Sequence, residues 1–194
     1  MLAFSTYIFP LLATPLLTWA WWRVTGGNWR VVALVMLVPI VYGYLIAVFA
    51  TEIVKRWRMT GPFRIGGAYA HHGFIYGSKL AFVLLLVAPL DLVSAALLAG
   101  AATAFGGWWH DVYAIREGKI VFPGMDARAA EESLTSFAPA TYFAVGATYA
   151  AAILAGSRIV ASRPDLFPWV FVAALAALCV VPTLVFSAIT RTAR

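Results

Sequence analysis

Six apolar stretches, each close to the length of a bilayer crossing, constrain the fold of this chain more than any other feature. About 20 apolar residues in a helix span the hydrocarbon core of a membrane. The stretches cover residues 2–22, 31–54, 73–90, 91–114, 138–160 and 167–190. We therefore predict an all-α, polytopic membrane protein in which about six transmembrane helices form one bundle.

Composition excludes a water-soluble alternative. Of the 194 residues, 63% are hydrophobic and only 11% are charged, against about 25% charged in an ordinary soluble domain. No polar linker divides the chain, so residues 1–194 are expected to form a single transmembrane domain. The net charge of +6 does not indicate a nucleic-acid partner, because the basic residues lie in short loops between apolar stretches. The partner that the composition predicts is the lipid bilayer.

The two central stretches are continuous in sequence, and together they are too long for one span. Pro89, Leu90 and Asp91 interrupt them with a proline and then a charge that favours water. We predict a tight helical hairpin that turns at this point. Asp91 is then a turn residue, whereas without the turn it would be a buried carboxylate.

The distribution of Lys and Arg predicts the orientation of the bundle. With six spans, both termini share one side with the second and fourth loops, and that side collects nine basic residues against four on the other. Cytoplasmic loops carry the excess of Lys and Arg. We therefore expect both termini in the cytoplasm, and an integral protein of a bacterial inner membrane.

All three histidines lie near the open end of the predicted hairpin. His71 and His72 stand 18 to 20 residues before the turn, and His110 and Asp111 stand 19 to 21 residues after it. In an antiparallel helix pair with a rise of about 1.5 Å per residue, equal distances from the turn mean equal depth. Glu52 ends the second stretch on the same side. We predict one polar cluster at the cytoplasmic interface.

This cluster has the side chains of an acid–base or a metal site. His110, Asp111 and Glu52 are the predicted catalytic residues, because a histidine beside a carboxylate suits proton transfer. His71, His72 and His110 are the predicted metal ligands, and a divalent metal such as Zn, Fe or Mn is the cofactor that they would bind. Haem ligation is a further alternative. The spacings match no standard motif such as HExxH or CxxC, so the cluster also fits an interface without chemistry.

Three basic side chains are predicted to bind a substrate. Lys79 falls about two turns into its apolar stretch, and a charge within the membrane is costly and typical of a functional site. The alternative is that its long side chain reaches back to the interface. Arg58 and Arg64, in the second loop, would hold an anionic head group; the alternative is that they only fix the topology.

The sequence supports three functions. The first is an enzyme that acts on a lipid or isoprenoid amphiphile at the cytoplasmic interface through the His/carboxylate site. The second is a non-catalytic subunit or assembly partner of a membrane complex, in a homo- or hetero-oligomer, which small-residue rows such as Gly73 and Gly77 would suit. The third is a small-solute transporter, against which the scarcity of polar residues in the first and last stretches argues.

Overall fold

The computed structural model describes residues 4–192, and within them the chain forms six α-helices and four two-residue strands. The helices are α1 (Phe9–Val24), α2 (Trp29–Val48), α3 (His72–Val87), α4 (Leu92–Arg116), α5 (Ala127–Ser162) and α6 (Phe167–Thr192). The strands are β1 (Arg58–Met59), β2 (Arg64–Ile65), β3 (Ala68–Tyr69) and β4 (Ile120–Val121). The predicted all-α class is confirmed, since the strands form only two small pairs in the loops.

Four helical segments of the described chain are long and apolar enough to cross a membrane. They are Trp29–Ile53, Leu92–Arg116, Ala127–Ser162 and Pro164–Arg191. The other two helices, α1 and α3, have 16 residues each. A five-residue π-helical turn, Phe4–Ile8, runs directly into α1 and lengthens it at its N-terminal end. The structure therefore supports a helical membrane protein with at least four candidate spans in residues 4–192.

The predicted hairpin between the two central stretches is confirmed. α3 ends at Val87 and α4 begins at Leu92, so the chain reverses around the proline and the charge. Asp91 caps α4: its carboxylate accepts hydrogen bonds from the backbone amides of Val93 and Ser94, both at 3.0 Å. Asp91 is thus a turn residue that satisfies amides left open at a helix start.

The N-terminal part of α5 precedes the fifth apolar stretch. Asp126 caps it by accepting a hydrogen bond from the amide of Ala129 at 2.8 Å. The helix continues without a break into the fifth apolar stretch and reaches 36 residues. The physical reason is that residues 127–138 contain neither glycine nor proline, so nothing ends the helix between the polar turn and the apolar stretch.

The core surrounds α2, whose residues Leu34, Val35 and Val38 are buried almost completely. Two polar side chains in this core hydrogen bond to the backbone of neighbouring helices. The hydroxyl of Tyr149 in α5 donates to the carbonyl of Val35 at 2.8 Å, and the indole of Trp21 in α1 donates to the carbonyl of Ala81 in α3 at 3.2 Å. These bonds tie neighbouring helices together in a region where water is absent, and an unpaired polar group there would be costly.

Small residues allow the closest helix contacts, as predicted from their spacing. A Cβ atom added to Gly73 in α3 would meet the ring of Tyr44 and the backbone of Ile40 in α2. A Cβ atom added to Gly146 in α5 would meet the backbone of Ala99 and the side chain of Thr103 in α4. The two helix pairs α2–α3 and α4–α5 therefore pack with their backbones close together.

One end of the bundle carries a polar cap built from the second and fourth loops. β1 pairs antiparallel with β4, which joins the two loops, and β2 pairs antiparallel with β3. The imidazole Nε2 of His71 donates to the carbonyl of Thr6 at 2.8 Å, and the guanidinium of Arg56 lies 5.1 Å from the ring centre of Phe186 near the end of α6. Both ends of the described chain therefore lie at the same end as these loops, as a six-helix arrangement requires; Arg194 lies outside the described residues.

Candidate functional site

A cavity of about 430 Å³ lies beneath the cap, between α3 and α4. α4 packs along α5 and α3 packs along α2, whereas α3 and α4 contact each other far less. The two helices of the hairpin therefore diverge from their turn, and the cavity fills the wide end. Its volume is in the range of about 300–1,000 Å³ that is usual for ligand sites. Most of its wall is apolar, and its polar lining includes His72, Tyr76, Lys79, Thr103, His110, Asp111 and Tyr142.

A hydrogen-bonded chain of three side chains stands on this wall. Nδ1 of His110 lies 3.0 Å from Oδ1 of Asp111, and the hydroxyl of Tyr142 donates to Oδ2 of the same carboxylate. The carboxylate accepts hydrogen bonds, so it fixes the proton of the imidazole on Nδ1. Nε2 is then the free basic nitrogen. Its contact in the structure is the hydroxyl oxygen of Thr6, at the long distance of 3.5 Å.

His72 is buried on the same cavity without a hydrogen-bond partner. Its relative exposure is 5%, and within the described part of the chain neither ring nitrogen is hydrogen bonded. Its ring packs between aromatic rings, with ring centres 6.2 Å from Trp57 and 5.4 Å from Tyr76. A buried imidazole has one donor and one acceptor to satisfy, so these open positions need an explanation.

Lys79 lines the cavity two helical turns beyond His72. Within residues 4–192 its ammonium group makes no hydrogen bond and no ion pair, and Asp111 attracts it only from beyond ion-pair distance. Thr103 on α4 also lines the cavity, but its hydroxyl, buried without a partner among the described residues, lies against Gly146 of α5. Two lysines, Lys79 and Lys119, thus line the cavity, and the protein leaves the ammonium of Lys79 and the ring nitrogens of His72 without partners among the described residues.

The cavity opens to the outer surface of the bundle between α3 and α4. Phe82 on α3 and Gly106 on α4 both line the cavity and are exposed. A Cβ atom added to Gly106 would meet nothing within 4 Å, so this wall is open space. The lining of the cavity is therefore exposed at these two residues on the outer surface of the bundle.

The cap closes the other side of the cavity. Trp57, Met59, Tyr69 and Ile120 line it from the loops. The hydroxyl of Tyr69 donates to the carbonyl of Thr60 at 2.8 Å, and burial raises the pKa of Tyr69 above its ordinary value. This phenol therefore stays protonated and acts as a fixed part of the cap.

The structure brings together four of the residues predicted from sequence. His72, Lys79, His110 and Asp111 line one cavity, and they lie on the two helices of the predicted hairpin. His71 does not line the cavity. Its contact with the Thr6 carbonyl places it behind the N-terminal turn.

Three other predicted residues lie elsewhere. The carboxylate of Glu52 accepts hydrogen bonds from the amide of Gly67 at 2.7 Å and from the hydroxyl of Thr51 at 3.0 Å, outside the cavity. The reason is that Glu52 belongs to a π-helical turn, Phe49–Ile53, after which the chain turns back on itself. Glu52 therefore serves as a structural anchor for the second loop.

The two loop arginines differ from the expected phosphate or head-group ligands. Arg64 donates from Nε to the carbonyl of Gly61 and from Nη1 to the carbonyl of Met59, both at 2.9 Å. Its guanidinium thus holds the loop backbone. Arg58 lies on β1, opposite Val121, and is exposed away from the cavity.

The predicted metal set is not assembled. Within residues 4–192, no group of three or more His, Cys, Asp or Glu side chains stands close enough to hold a metal ion. The physical reason is visible at each histidine: His71 bonds to Thr6, His72 lies between aromatic rings, and His110 is engaged by Asp111. The arrangement favours proton transfer by one imidazole.

Sequence reasoning missed Thr6, Thr103 and Tyr142. Tyr142 lies on α5, whose rotation about its axis sets which residues face Asp111, and the apolar stretch has no strong periodicity that would fix that rotation. A signal was present at Gly107, where a Cβ atom would collide with the ring of Tyr142. Small residues opposite a large aromatic ring mark a close helix contact.

No protein-family model, curated protein or solved structure matches the chain. The structural class of the protein therefore rests on its own fold. It is an all-helical bundle with several helices of membrane-spanning length and composition, and it holds a mostly apolar cavity with a few polar groups beside its loop cap.

Proposed function

We propose that the chain is an integral membrane enzyme in which His110 transfers protons to and from an amphiphilic substrate such as a lipid or isoprenoid. The single observation that supports this is the hydrogen-bonded chain Tyr142–Asp111–His110 on the wall of a mostly apolar cavity. An acidic group that orients a histidine, with the second ring nitrogen directed at the reacting group, is a recurring arrangement of general bases.

The proposed roles follow from the hydrogen bonds. Nε2 of His110 takes a proton from a hydroxyl group or from water, and the imidazolium that forms is stabilised by the Asp111 carboxylate. The oxygen that has lost this proton attacks the substrate, and as the bond to the displaced group breaks, the same nitrogen gives the proton to that group. Tyr142 holds the second carboxylate oxygen and so fixes the orientation of the pair. The long contact to Thr6 is weak enough for a substrate hydroxyl to replace it.

The substrate class follows from the walls and the opening. An apolar cavity with a few polar groups binds a ligand that is itself mostly apolar with a polar end. The opening beside Phe82 and Gly106 would admit such a ligand from the membrane without passage through water. We propose that α1 and α3 also span the membrane, which gives six spans, and that the cap faces the bacterial cytoplasm because most Lys and Arg lie there.

Reconstitution tests this function even while the substrate is unidentified. The purified chain, incorporated in liposomes made from a total bacterial lipid extract, should change the abundance of one lipid or isoprenoid class, as measured by mass spectrometry over time. His110→Asn should abolish the change while leaving the protein folded and inserted. Asp165→Asn, which alters an exposed carboxylate paired with Arg163 away from the cavity, is the matched control and should retain it.

The test has a clear negative result. If His110→Asn converts lipid as fast as the unaltered chain, His110 has no role in the chemistry. If the unaltered chain changes no lipid class but moves a solute across the liposome membrane, the protein is a transporter and the enzyme proposal fails.

A further inference from the structure

We further propose that the cavity binds an amphiphile with an anionic head group, held by the ammonium of Lys79 and the imidazole of His72. This amphiphile is the substrate class of the site proposed above, and its reaction rests on that proposal, although binding can be measured without turnover. The shared chemistry is a carboxylate or phosphate at the end of an apolar chain.

The first argument for an anionic ligand comes from the unpaired ammonium of Lys79. A charged side chain within the membrane is costly unless it is paired. The only carboxylate among the described residues that lines the cavity, Asp111, already accepts bonds from His110 and Tyr142. The attraction between Lys79 and Asp111 therefore acts over distance, and the ammonium keeps its three donors open. An anion in the cavity would supply the missing partner.

The second argument comes from the unpartnered ring nitrogens of His72. His72 is nine-tenths buried or more, lines the cavity, and has two unpartnered ring nitrogens within residues 4–192. One of these nitrogens carries an N–H, and the other becomes a donor if the ring is protonated. Such a donor suits a ligand with several acceptor oxygens, which a carboxylate or a phosphate group has.

The wall of the cavity argues for an amphiphile over a free anion. Apart from these polar groups, the lining is mostly aliphatic and aromatic. The exposed ring of Phe82 stands one turn beyond Lys79 on α3, toward the hairpin turn. A head group at Lys79 therefore leaves its apolar chain room to run out beside Phe82, into the lipid, while the head stays under the cap.

Fluorescence binding tests the head-group charge directly. The probe is cis-parinaric acid, a fluorescent fatty acid, compared with its uncharged methyl ester, added to the full-length protein in a nonionic detergent. Both probes partition into the micelle, so the comparison isolates the charge. We expect the acid to bind about tenfold or more tightly than the ester, as one charge-assisted contact would give. An equal affinity for the two probes would overturn the proposal.

Variants assign the effect to the two residues. Lys79→Met keeps the length of the side chain, removes the charge, and should erase the preference for the acid while leaving the affinity for the ester unchanged. Lys79→Arg should retain the preference. His72→Phe should lower the affinity for the acid more than the affinity for the ester. If Lys79→Met binds the acid as tightly as the unaltered chain, the lysine only reaches to the interface and the inference is wrong.

Two competitors identify the source of the anion. Lysophosphatidate should displace the probe if the site accepts a phosphate head group, and oleate should displace it if the site accepts a carboxylate. Displacement by inorganic phosphate alone would assign the site to a free anion and contradict the amphiphile. Probe binding is measured on the unaltered chain without turnover, so it separates this inference from the proposed enzyme. Binding without lipid conversion by the unaltered chain would defeat the enzyme and leave the anion site standing.

Discussion

At the scale of single residues, the pair His110 and Asp111 is unusual because the two side chains are adjacent in sequence and yet bonded. Consecutive residues of a helix point about 100° apart, so they do not normally face each other. Here the imidazole turns sideways along the helix, with Nδ1 3.0 Å from the carboxylate. Tyr142 on α5 holds the carboxylate from the other side. Without such a partner, the neutral imidazole could carry its proton on either ring nitrogen.

Asp111→Asn tests whether the carboxylate orients the base. The amide is the same size, but it lacks the charge that stabilises the imidazolium and can present a donor to Nδ1. We expect the rate of lipid conversion to fall by about 10²- to 10⁴-fold, the range associated with general bases and their orienting groups. The rate is measured in liposomes beside Asp165→Asn. A reduction of only about twofold, far smaller than that range, would show that Asp111 has no role in the mechanism.

At the scale of helices, the hairpin α3–α4 is the element that the site depends on most. Pro89 and Asp91 made its turn predictable, because one cannot continue a helix and the other caps the next. Equal distances from that turn then predicted that His72 and His110 would share a depth. The divergence of the two helices, which creates the cavity, was not predictable, because it depends on α4 packing against α5 in preference to α3.

The cap of α4 gives a pH prediction. Hydrogen bonds from the side chain and the backbone amide of Ser94 lower the pKa of Asp91, so the cap stabilises the fold above the pKa of the unfolded carboxyl. This contribution is lost as the pH falls through the lower pKa of the folded state, below the ordinary value of 3.8. Thermal unfolding in detergent should show the unaltered chain losing more stability than Asp91→Asn in this acid range. Equal losses in the two proteins would show that the cap contributes nothing.

The contact between α4 and α5 gives a packing prediction. Replacing a helical glycine with alanine usually stabilises a helix by about 0.5–1 kcal/mol. Gly146→Ala should instead lower the free energy of unfolding by about 1–3 kcal/mol, because its methyl group would meet the Ala99 backbone and Thr103. Gly106→Ala is the matched control on α4, since nothing lies within 4 Å of its added Cβ atom. Denaturant unfolding compares them, and a Gly146→Ala variant as stable as Gly106→Ala would refute the close approach.

At the scale of the whole molecule, patterning predicted the class of fold and the meeting of the second and fourth loops at one end. It did not predict the partners of Glu52 and Arg64. Both residues bind main-chain groups of a loop whose path depends on short strand pairs, and two-residue strands leave almost no pattern in sequence. Equal depth in the membrane was also insufficient to predict a metal site, because coordination depends on the direction in which each imidazole points.

The orientation of the bundle is testable by labelling. Cys179, the only cysteine, is replaced by alanine, and single cysteines are then introduced as Arg128→Cys at the cap end or Arg163→Cys at the opposite end. A maleimide that does not cross membranes should label Arg163→Cys in intact cells and Arg128→Cys only after permeabilisation. The physical reason is the excess of basic residues at the cap, which favours the cytoplasm. The reverse labelling pattern would contradict the proposed topology.

The central claim is that Asp111 holds His110 with its proton on Nδ1 and its basic Nε2 directed into the cavity. Nitrogen-15 NMR of the histidine-labelled protein measures this directly, because the shifts of the two ring nitrogens report which one is protonated, and three histidines are few enough to assign by replacing each in turn. We predict the Nδ1–H tautomer for neutral His110, and its loss in Asp111→Asn. An Nε2–H tautomer in the unaltered protein, or one that does not respond to Asp111→Asn, would contradict the claim.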